Sequence, residues 1–263
     1  MGETLVDVAP PYRLDLTVAV LRRLSTNLVD TVQHGTYRRA LTGLVAPVVV
    51  TVRQTAPAQL TVGVDGAAGE EPRALALVRR MLAVDRLTPL FDRGAAKIPW
   101  LRGLAKRVRG IKPPRYPTLW EACVNAIVFQ QVSIFSAGAI LRRTIEALGS
   151  PIERDGVALH AFPSVEALLG ASDDVLKTAG LSRGKIAALR RVGEALACGQ
   201  LDEVMLEERS TPEAVELLCG IKGIGPWTAT LIMLRGLGRL DLFPQNDSGV
   251  ARSIALLGGE EAD

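Results

Sequence analysis

The segment Gly223-Ile224-Gly225-Pro226-Trp227-Thr228-Ala229 has the composition of a site that grips an anion without a charged side chain. A helical run ending in Leu217-Leu218-Cys219 leads into it, so a helix meets a Gly-x-Gly turn. Glycine admits positive φ and lets another backbone approach closely. Pro226 suits the first position of a new helix, where its missing N–H would have had no intrahelical partner. The free N–H groups of the turn and of the second helix then point outward together, which is a backbone site for a phosphate. Further on, Phe243-Pro244-Gln245-Asn246-Asp247-Ser248-Gly249-Val250 sets one carboxylate, Asp247, at a loop-to-helix junction. An aspartate there caps the helix, presents its charge to a ligand, or does both, because a cap also fixes the carboxylate's direction.

The elements that must position these groups fall into two regions. Near the N-terminus, β-branched runs and period-two stretches predict strands at 12–16, 37–41, 48–53 and 59–64, with helices at 18–28 and 71–81. This is a small α+β unit with an antiparallel sheet. From about residue 88 the pattern is helical throughout. Residues 118–129 are apolar on most of their surface, as a central buried helix would be. A second helix is expected from Ser133 to Leu148. Ser164, Ser172 and Ser182 stand as N-caps of short helices, Gly170, Gly180 and Gly199 stand just past helix ends, and Thr211-Pro212-Glu213 starts the helix that enters the hairpin.

Composition narrows the chemistry. The chain has 263 residues, a 48% hydrophobic content and a net charge of +3, enough for two modest domains or one large one. Residues 93–115 hold eight basic residues (Arg93, Lys97, Arg102, Lys106, Arg107, Arg109, Lys112 and Arg115) and no acid. Such a run suits a polyanion or forms a solvated face between domains. Cys123, Cys198 and Cys219 are far apart in apolar contexts and read as buried hydrophobes in a reducing compartment. With no Cys-x-x-Cys and only His34 and His160, a zinc ribbon, a four-cysteine iron–sulfur loop and a histidine-rich metal site are excluded. No secretion signal or membrane-spanning segment is read in the sequence.

The hairpin residues Gly223, Ile224, Gly225, Thr228 and Ala229, with the Asp241-Leu242-Phe243-Pro244 to Asp247 segment, resemble the helix-hairpin-helix DNA glycosylases. Within that superfamily the chain is most similar to the bacterial 3-methyladenine DNA glycosylase II group. Gln130-Gln131-Val132-Ser133 after the central helix, and Phe162-Pro163-Ser164 through Leu181-Ser182-Arg183-Gly184-Lys185, extend the likeness over residues 10–255. It implies an α+β N-terminal domain over 1–87. An all-α helix-hairpin-helix glycosylase core follows over 88–263, with the hairpin at about 212–237 and the acid loop at 241–250.

The resemblance implies base excision repair on damaged double-stranded DNA, by a monomer in the bacterial cytoplasm at the nucleoid. Gly223, Gly225 and Thr228 would hold the DNA backbone, with a monovalent cation at the hairpin carbonyls and no other cofactor. Gln131 would fill the gap left by an extruded base, or Gln130 and Gln131 would merely cap helix ends. Asp247, in preference to Asp241, would stabilise positive charge on the sugar as the glycosidic bond breaks. Trp227 stands where strand-nicking relatives carry a Schiff-base lysine. It implies release of the base by water and no lyase step, with Trp227 as a pocket wall or as core packing. Trp100 and Trp120 are expected in the core or between domains.

Two departures bear on the pocket. Leu231, one turn after Trp227, replaces an aromatic of the group, and Ser248 after Asp247 is small and polar. The sequence Leu256-Leu257-Gly258-Gly259 is expected to break the last helix, leaving Glu260-Glu261 and Asp263 without an apolar face where the group continues with further helices. A second function class therefore stands beside the glycosylase: a helix-hairpin-helix DNA-binding module with no complete base pocket.

Overall fold

The valine-rich N-terminal runs pair into one antiparallel sheet of five strands. In the computed structural model, which describes residues 2–42, 44, 48–66, 69–154 and 156–258, these are β1 (Glu3–Asp7), β2 (Asp30–Gln33), β3 (Thr36–Leu41), β4 (Val48–Ala56) and β5 (Gln59–Asp65). Their order is β1-β5-β4-β3-β2. Helices α1 (Leu14–Arg22) and α2 (Glu71–Met81) pack Val18, Leu21, Val78 and Met81 against Tyr37, Val50, Leu60 and Val62 of the sheet. The expected strand at 12–16 is not a strand. Leu14, Val18 and Leu21 fall on one helical stripe, and burying that stripe outweighs the local alternation. The helix expected to reach residue 28 stops at Arg22, because Arg23 turns to positive φ. The two edge strands, β1 and β2, were not anticipated; their polar sequences carry little apolar alternation.

The second buried cluster is built around α5 (Leu119–Val128). All ten of its residues are buried, so any charge on it must find a partner. Against it lie α6 (Ile134–Leu148), α7 (Val165–Gly170), α8 (Asp173–Thr178), α9 (Arg183–Ala197), α10 (Glu203–Glu207), α11 (Thr211–Cys219) and α12 (Pro226–Ile232). The preceding segment forms α3 (Pro89–Lys97) and α4 (Pro99–Arg107); α13 (Ser248–Gly258) packs beside α4. Ser164, Ser172 and Ser182 cap α7, α8 and α9 through their hydroxyls. Gly170 is the last residue of α7 rather than the one after it.

This region is not wholly helical. A two-stranded hairpin, β6 (Pro151–Arg154) with β7 (Val157–His160), interrupts it. Val157 and Leu159 pack on Val49 of the sheet, and Arg154 pairs with Asp65 at 2.8 Å. The helix expected to reach residue 237 changes winding at Met233–Leu237, where it becomes a π-turn ending in Gly238 at φ 71°. Cys123 is buried, and burial pushes its thiol up to about 12. Cys198, expected inside, is exposed at the C-terminus of α9. Trp120 is buried and donates its indole N–H to Pro163 O at 2.8 Å, whereas Trp100 is exposed on α4. The break expected over Leu256-Leu257-Gly258-Gly259 is not found in its first three residues, which continue α13 as far as Gly258; residues 259–263 lie outside the described residues.

One ion cluster fastens the sheet to the helical region. Arg39 of β3 is fully buried and bonds Asp30 at 2.7 Å on one side and Glu121 of α5 on the other. Tyr37 Oη donates to Asp30 at 2.6 Å. Burial pushes the Glu121 carboxyl up, and the Arg39 charge pulls it back. Removing one partner of such a pair leaves the other charge buried and alone. Glu121→Ala should therefore destabilise the fold by about 3–5 kcal/mol in urea unfolding, and more than Glu121→Gln, which still offers Arg39 an oxygen. Equal loss in the two variants would show that an oxygen facing Arg39 contributes nothing, and no loss in either would show that this ion pair is not what holds the regions together.

Candidate active site and DNA interface

The hairpin forms because both of its helices are locally well ended. Ser210 and Glu213 form a reciprocal capping box at the start of α11. The turn closes when Ile224 N–H donates to Ile221 O at 2.9 Å, and Pro226 opens α12. Gly223 is required twice over: its φ is +106°, and a Cβ would lie 2.6 Å from Ala188 Cβ on α9. Gly225 corrects the expectation of positive φ. Its φ of −97° and ψ of 176° suit any residue, and a Cβ there would meet nothing within 4 Å. The fold does not demand that glycine; it leaves open space above the start of α12.

The loop after α5 is tied directly to this hairpin. Gln130 Nε2 donates to Gly223 O at 2.9 Å and to Thr228 Oγ1 at 2.8 Å. Gln130 is thus a strut, and neither it nor this link is visible in local sequence patterns. Thr228, expected at the DNA surface, is buried and serves as the strut's acceptor. Arg191 of α9 braces the same turn by donating to Lys222 O at 3.1 Å. With Gln130 pinned, Gln131 turns to φ 54° and is exposed. It follows the end of α5, and among the described residues no hydrogen bond fixes its side chain to a helix end.

Asp247 fills the expected capping role. Its Oδ1 accepts Val250 N–H at 2.9 Å and caps α13, and its Oδ2 accepts the indole N–H of Trp227 at 2.9 Å. Asn246, just before it, has φ 58°. Trp227 and Asp247 are thus brought together at the N-terminal end of α12, both half-buried. Leu231 lies one turn further along α12 and packs, half-buried, against the helical core. Asp241 belongs elsewhere: it is exposed, and a hydrogen bond from Thr211 holds its carboxyl below the usual range. Among the described residues, no group of three or more His, Cys, Asp or Glu gathers as a metal site would require.

The acid loop is aimed from the far side by arginines. Arg80, Arg115 and Arg86 donate to the carbonyls of Gly236, Leu237 and Gly238 at 2.8, 2.6 and 2.9 Å. These are the carbonyls a π-turn leaves without partners at its end. Arg239 then ties the loop to Glu207 O and Arg209 O. The expected basic run divides accordingly. Arg93, Lys97, Arg102, Lys106, Arg107 and Arg109 are exposed on α3, α4 and the segment after them. Lys112 is buried with Nζ on Arg86 O, and Arg115 is spent on the π-turn.

The sequence pattern of the HhH-GPD superfamily of base excision DNA repair proteins matches residues 124–263, and the chain belongs to that superfamily. It is similar to DNA-3-methyladenine glycosylase 2 of Escherichia coli, with 27% identity over 90% of this chain and 82% of that protein. It is also similar to the DNA-3-methyladenine glycosylase of Bacillus subtilis, with 29% identity over 65% of this chain. The chain spans 56% of the length of that Bacillus relative. Among solved structures, the 3-methyladenine DNA-glycosylase of Archaeoglobus fulgidus superposes with a TM-score of 0.82 at 26% identity, covering 99% of this chain and 88% of that one.

The two glycines now make separable predictions. Gly225→Val should leave the melting temperature unchanged and weaken duplex DNA binding, since only an approaching ligand needs the space. Gly223→Val should lower both, because it meets Ala188 and a disfavoured φ. Normal DNA binding by a folded Gly225→Val protein would remove the hairpin from the interface. Trp227→Phe keeps a ring but loses the N–H that holds Asp247. With Asp247 as the catalytic group, single-turnover base release should fall about 10-fold or more while DNA affinity holds.

Proposed function

We propose that the chain is a monofunctional DNA glycosylase. It hydrolyses the N-glycosidic bond of flipped-out, alkylated purines of the 3-methyladenine kind and leaves an intact abasic strand. The observation that carries this reading is the carboxylate of Asp247 held between the Trp227 indole and the α13 N-terminus, next to an open hairpin. A binding module has no need of a carboxylate aimed this way. The enzyme works as a cytoplasmic monomer on chromosomal DNA at the nucleoid.

A base in a duplex cannot be attacked until it leaves the stack, at a cost of a few kcal/mol that is least for damaged pairs. The hairpin amides at 223–225 and the N-terminus of α12 hold a phosphate and read no sequence. Gln131 enters the stack from the end of α5 and occupies the vacated space. Departure of the base builds positive charge on the sugar, and a fixed carboxylate, Asp247, stabilises it and orients water. Trp227 offers a ring face to an electron-poor alkylated purine. No lysine stands at its position to form a Schiff base, so the strand is left uncut.

The turn carbonyls fit a hard monovalent cation only in part. Lys222 O and Gly223 O already receive Arg191 and Gln130, so Ile221 O, which among the described residues receives Ile224 N–H alone, is the oxygen at 221–223 best placed to hold one. Such a cation would add positive potential beside the hairpin amides. The competing reading is a hairpin protein that binds DNA without catalysis. Leu231 favours it, because leucine at the pocket wall stacks less well than an aromatic.

Base release from methylated duplex DNA separates the two. Asp247→Asn should abolish release and keep affinity for an abasic analogue, and wild-type protein that binds but releases nothing would establish the module reading. A covalent complex trapped by borohydride would contradict the absence of a lyase step.

The exposed basic residues have their own measurement. Neutralising Lys106, Arg107 and Arg109 should lower the slope of log K against log salt by about 0.9 per lost phosphate contact, and by about one to two in all. An unchanged slope with normal folding would leave α4 and its following segment as a solvated face.

A further inference from the structure

Helix α9 touches both the hairpin and the end of α5, and it does so with one side. Arg191 donates to Lys222 O of the hairpin turn at 3.1 Å. Ala188, one turn earlier, stands so close to Gly223 that a Cβ there would lie 2.6 Å away. Lys185, a further turn back, reaches the other element. Its Nζ donates to Val128 O, on the last residue of α5, at 2.7 Å. Positions 185, 188 and 191 recur every three residues and so climb one side of the helix.

Lys185 does nothing for the helix that carries it. It sits in the first turn of α9, where the Ser182 cap accepts its backbone N–H at 3.3 Å. That is the positive end of the helix dipole, and a cation is disfavoured there. The side chain is half-buried, and desolvation pulls its ammonium below the usual lysine range. Among the described residues no carboxylate offsets this cost. What the lysine gains lies on α5. Val128 O is one of the last carbonyls of that helix, which the helix itself leaves without a donor. A cation is favoured at this negative end.

Three residues on, Gln131 takes φ 54°, a backbone region that a glutamine keeps only where its surroundings hold it. Gln130 holds this turn from the hairpin. Lys185 holds it from α9, at the point where the chain leaves α5. We propose that Lys185 is a positioning residue for Gln131: it fastens the end of α5 to α9, and α9 is the spacer between the Gln131 turn and the hairpin. The proposal rests on the reading of Gln131 as the group that fills the space of an extruded base. It adds to that reading the side chain and the helix that set where Gln131 enters. Lys185 touches neither base nor sugar in this role, because its charge is spent on a backbone carbonyl.

The test pairs single-turnover base release from methylated duplex DNA with the fluorescence of 2-aminopurine next to an abasic analogue. That fluorescence rises when the stack is opened, with no bond cut. Lys185→Met keeps the stem and removes the donor. It should lower base release about tenfold, the size of one charge-assisted hydrogen bond, and reduce the fluorescence rise. Lys185→Arg, which keeps a charged donor, should recover both. In a Gln131→Ala background Lys185→Met should cost nothing further, because the residue it positions is gone. A lysine that merely stabilised the fold would instead give additive losses in the double variant, and that result would overturn the assignment. So would an unaltered fluorescence rise in Lys185→Met, or a loss in Lys185→Arg equal to that in Lys185→Met. Wild-type protein that raises the fluorescence and releases no base would overturn the glycosylase reading, and the double variant read by fluorescence would still decide Lys185.

Discussion

The pairing of Arg39 with Glu121 is the contact on which the rest of the molecule depends. Helix α5 is buried on every side, and a carboxylate on it is tolerable only if a cation reaches it. Arg39 does so from the sheet, while keeping Asp30 on its other side. Near the cluster, Arg235 of the π-turn lies over the Tyr116 ring at 5.1 Å, and Tyr116 Oη donates to Asn125 of α5. A polar cluster at this depth is a poor source of net stability compared with apolar packing. Its effect here is orientation: only one placement of the sheet against α5 brings all of these groups together. That placement also fixes the turn after α1 beside α6.

From α5 the order is passed outward in two directions. Its C-terminal end carries Gln130, whose amide joins Gly223 and Thr228, so the loop that presents Gln131 and the hairpin move as one piece. The hairpin turn and the Gln131 loop are thereby set at a fixed separation, which the proposed function requires of a phosphate site and an inserted side chain. On the other side, α12 packs along α5 and ends in a π-turn instead of a regular turn. Such a widened turn is kept where tertiary partners stabilise it. The partners here are Arg80, Arg86 and Arg115, all from the segment that links sheet and helices. The acid loop therefore leaves from an end that is gripped by the N-terminal region, although Asp247 itself belongs to the helical side.

What the sequence made legible follows from the range of the interactions involved. The serine caps, the capping box at Ser210 and the helix Glu71–Met81 depend on residues within four positions of one another, and local pattern found them. The hairpin and Asp247 were legible because glycine, proline and a capping acid have few alternatives at such junctions. The strut from Gln130 to Thr228 was not, because its ends are 98 residues apart and glutamine has no positional signature. The π-winding was hidden for the same reason, since its arginine partners are distant in sequence. Gly225 was read as a glycine for conformation, whereas its backbone shows that conformation asks nothing of it. The strand expected at 12–16 failed because five residues of alternation were weighed without the apolar positions that continue to Leu21.

The capping role of Asp247 strengthens the case for its chemical one. A carboxylate has about four acceptor positions, two on each oxygen. Val250 N–H takes one on Oδ1 and the Trp227 indole takes one on Oδ2. Two bonds from two different elements remove the rotational freedom of the group, and each oxygen keeps a lone pair. A freely rotating aspartate would have to give up that freedom as charge develops on the sugar. Here both oxygens are already ordered by Val250 and Trp227, and under the proposed function their free lone pairs would serve a cationic sugar or a water molecule. Gly249 belongs to the same arrangement: a Cβ there would sit 3.2 Å from Asp247 Oδ1, against the oxygen that caps the helix. The small residues after Asp247 thus keep the carboxylate uncrowded, and they do so at the point where α13 begins and its N-terminal field adds to the pull on a negative charge.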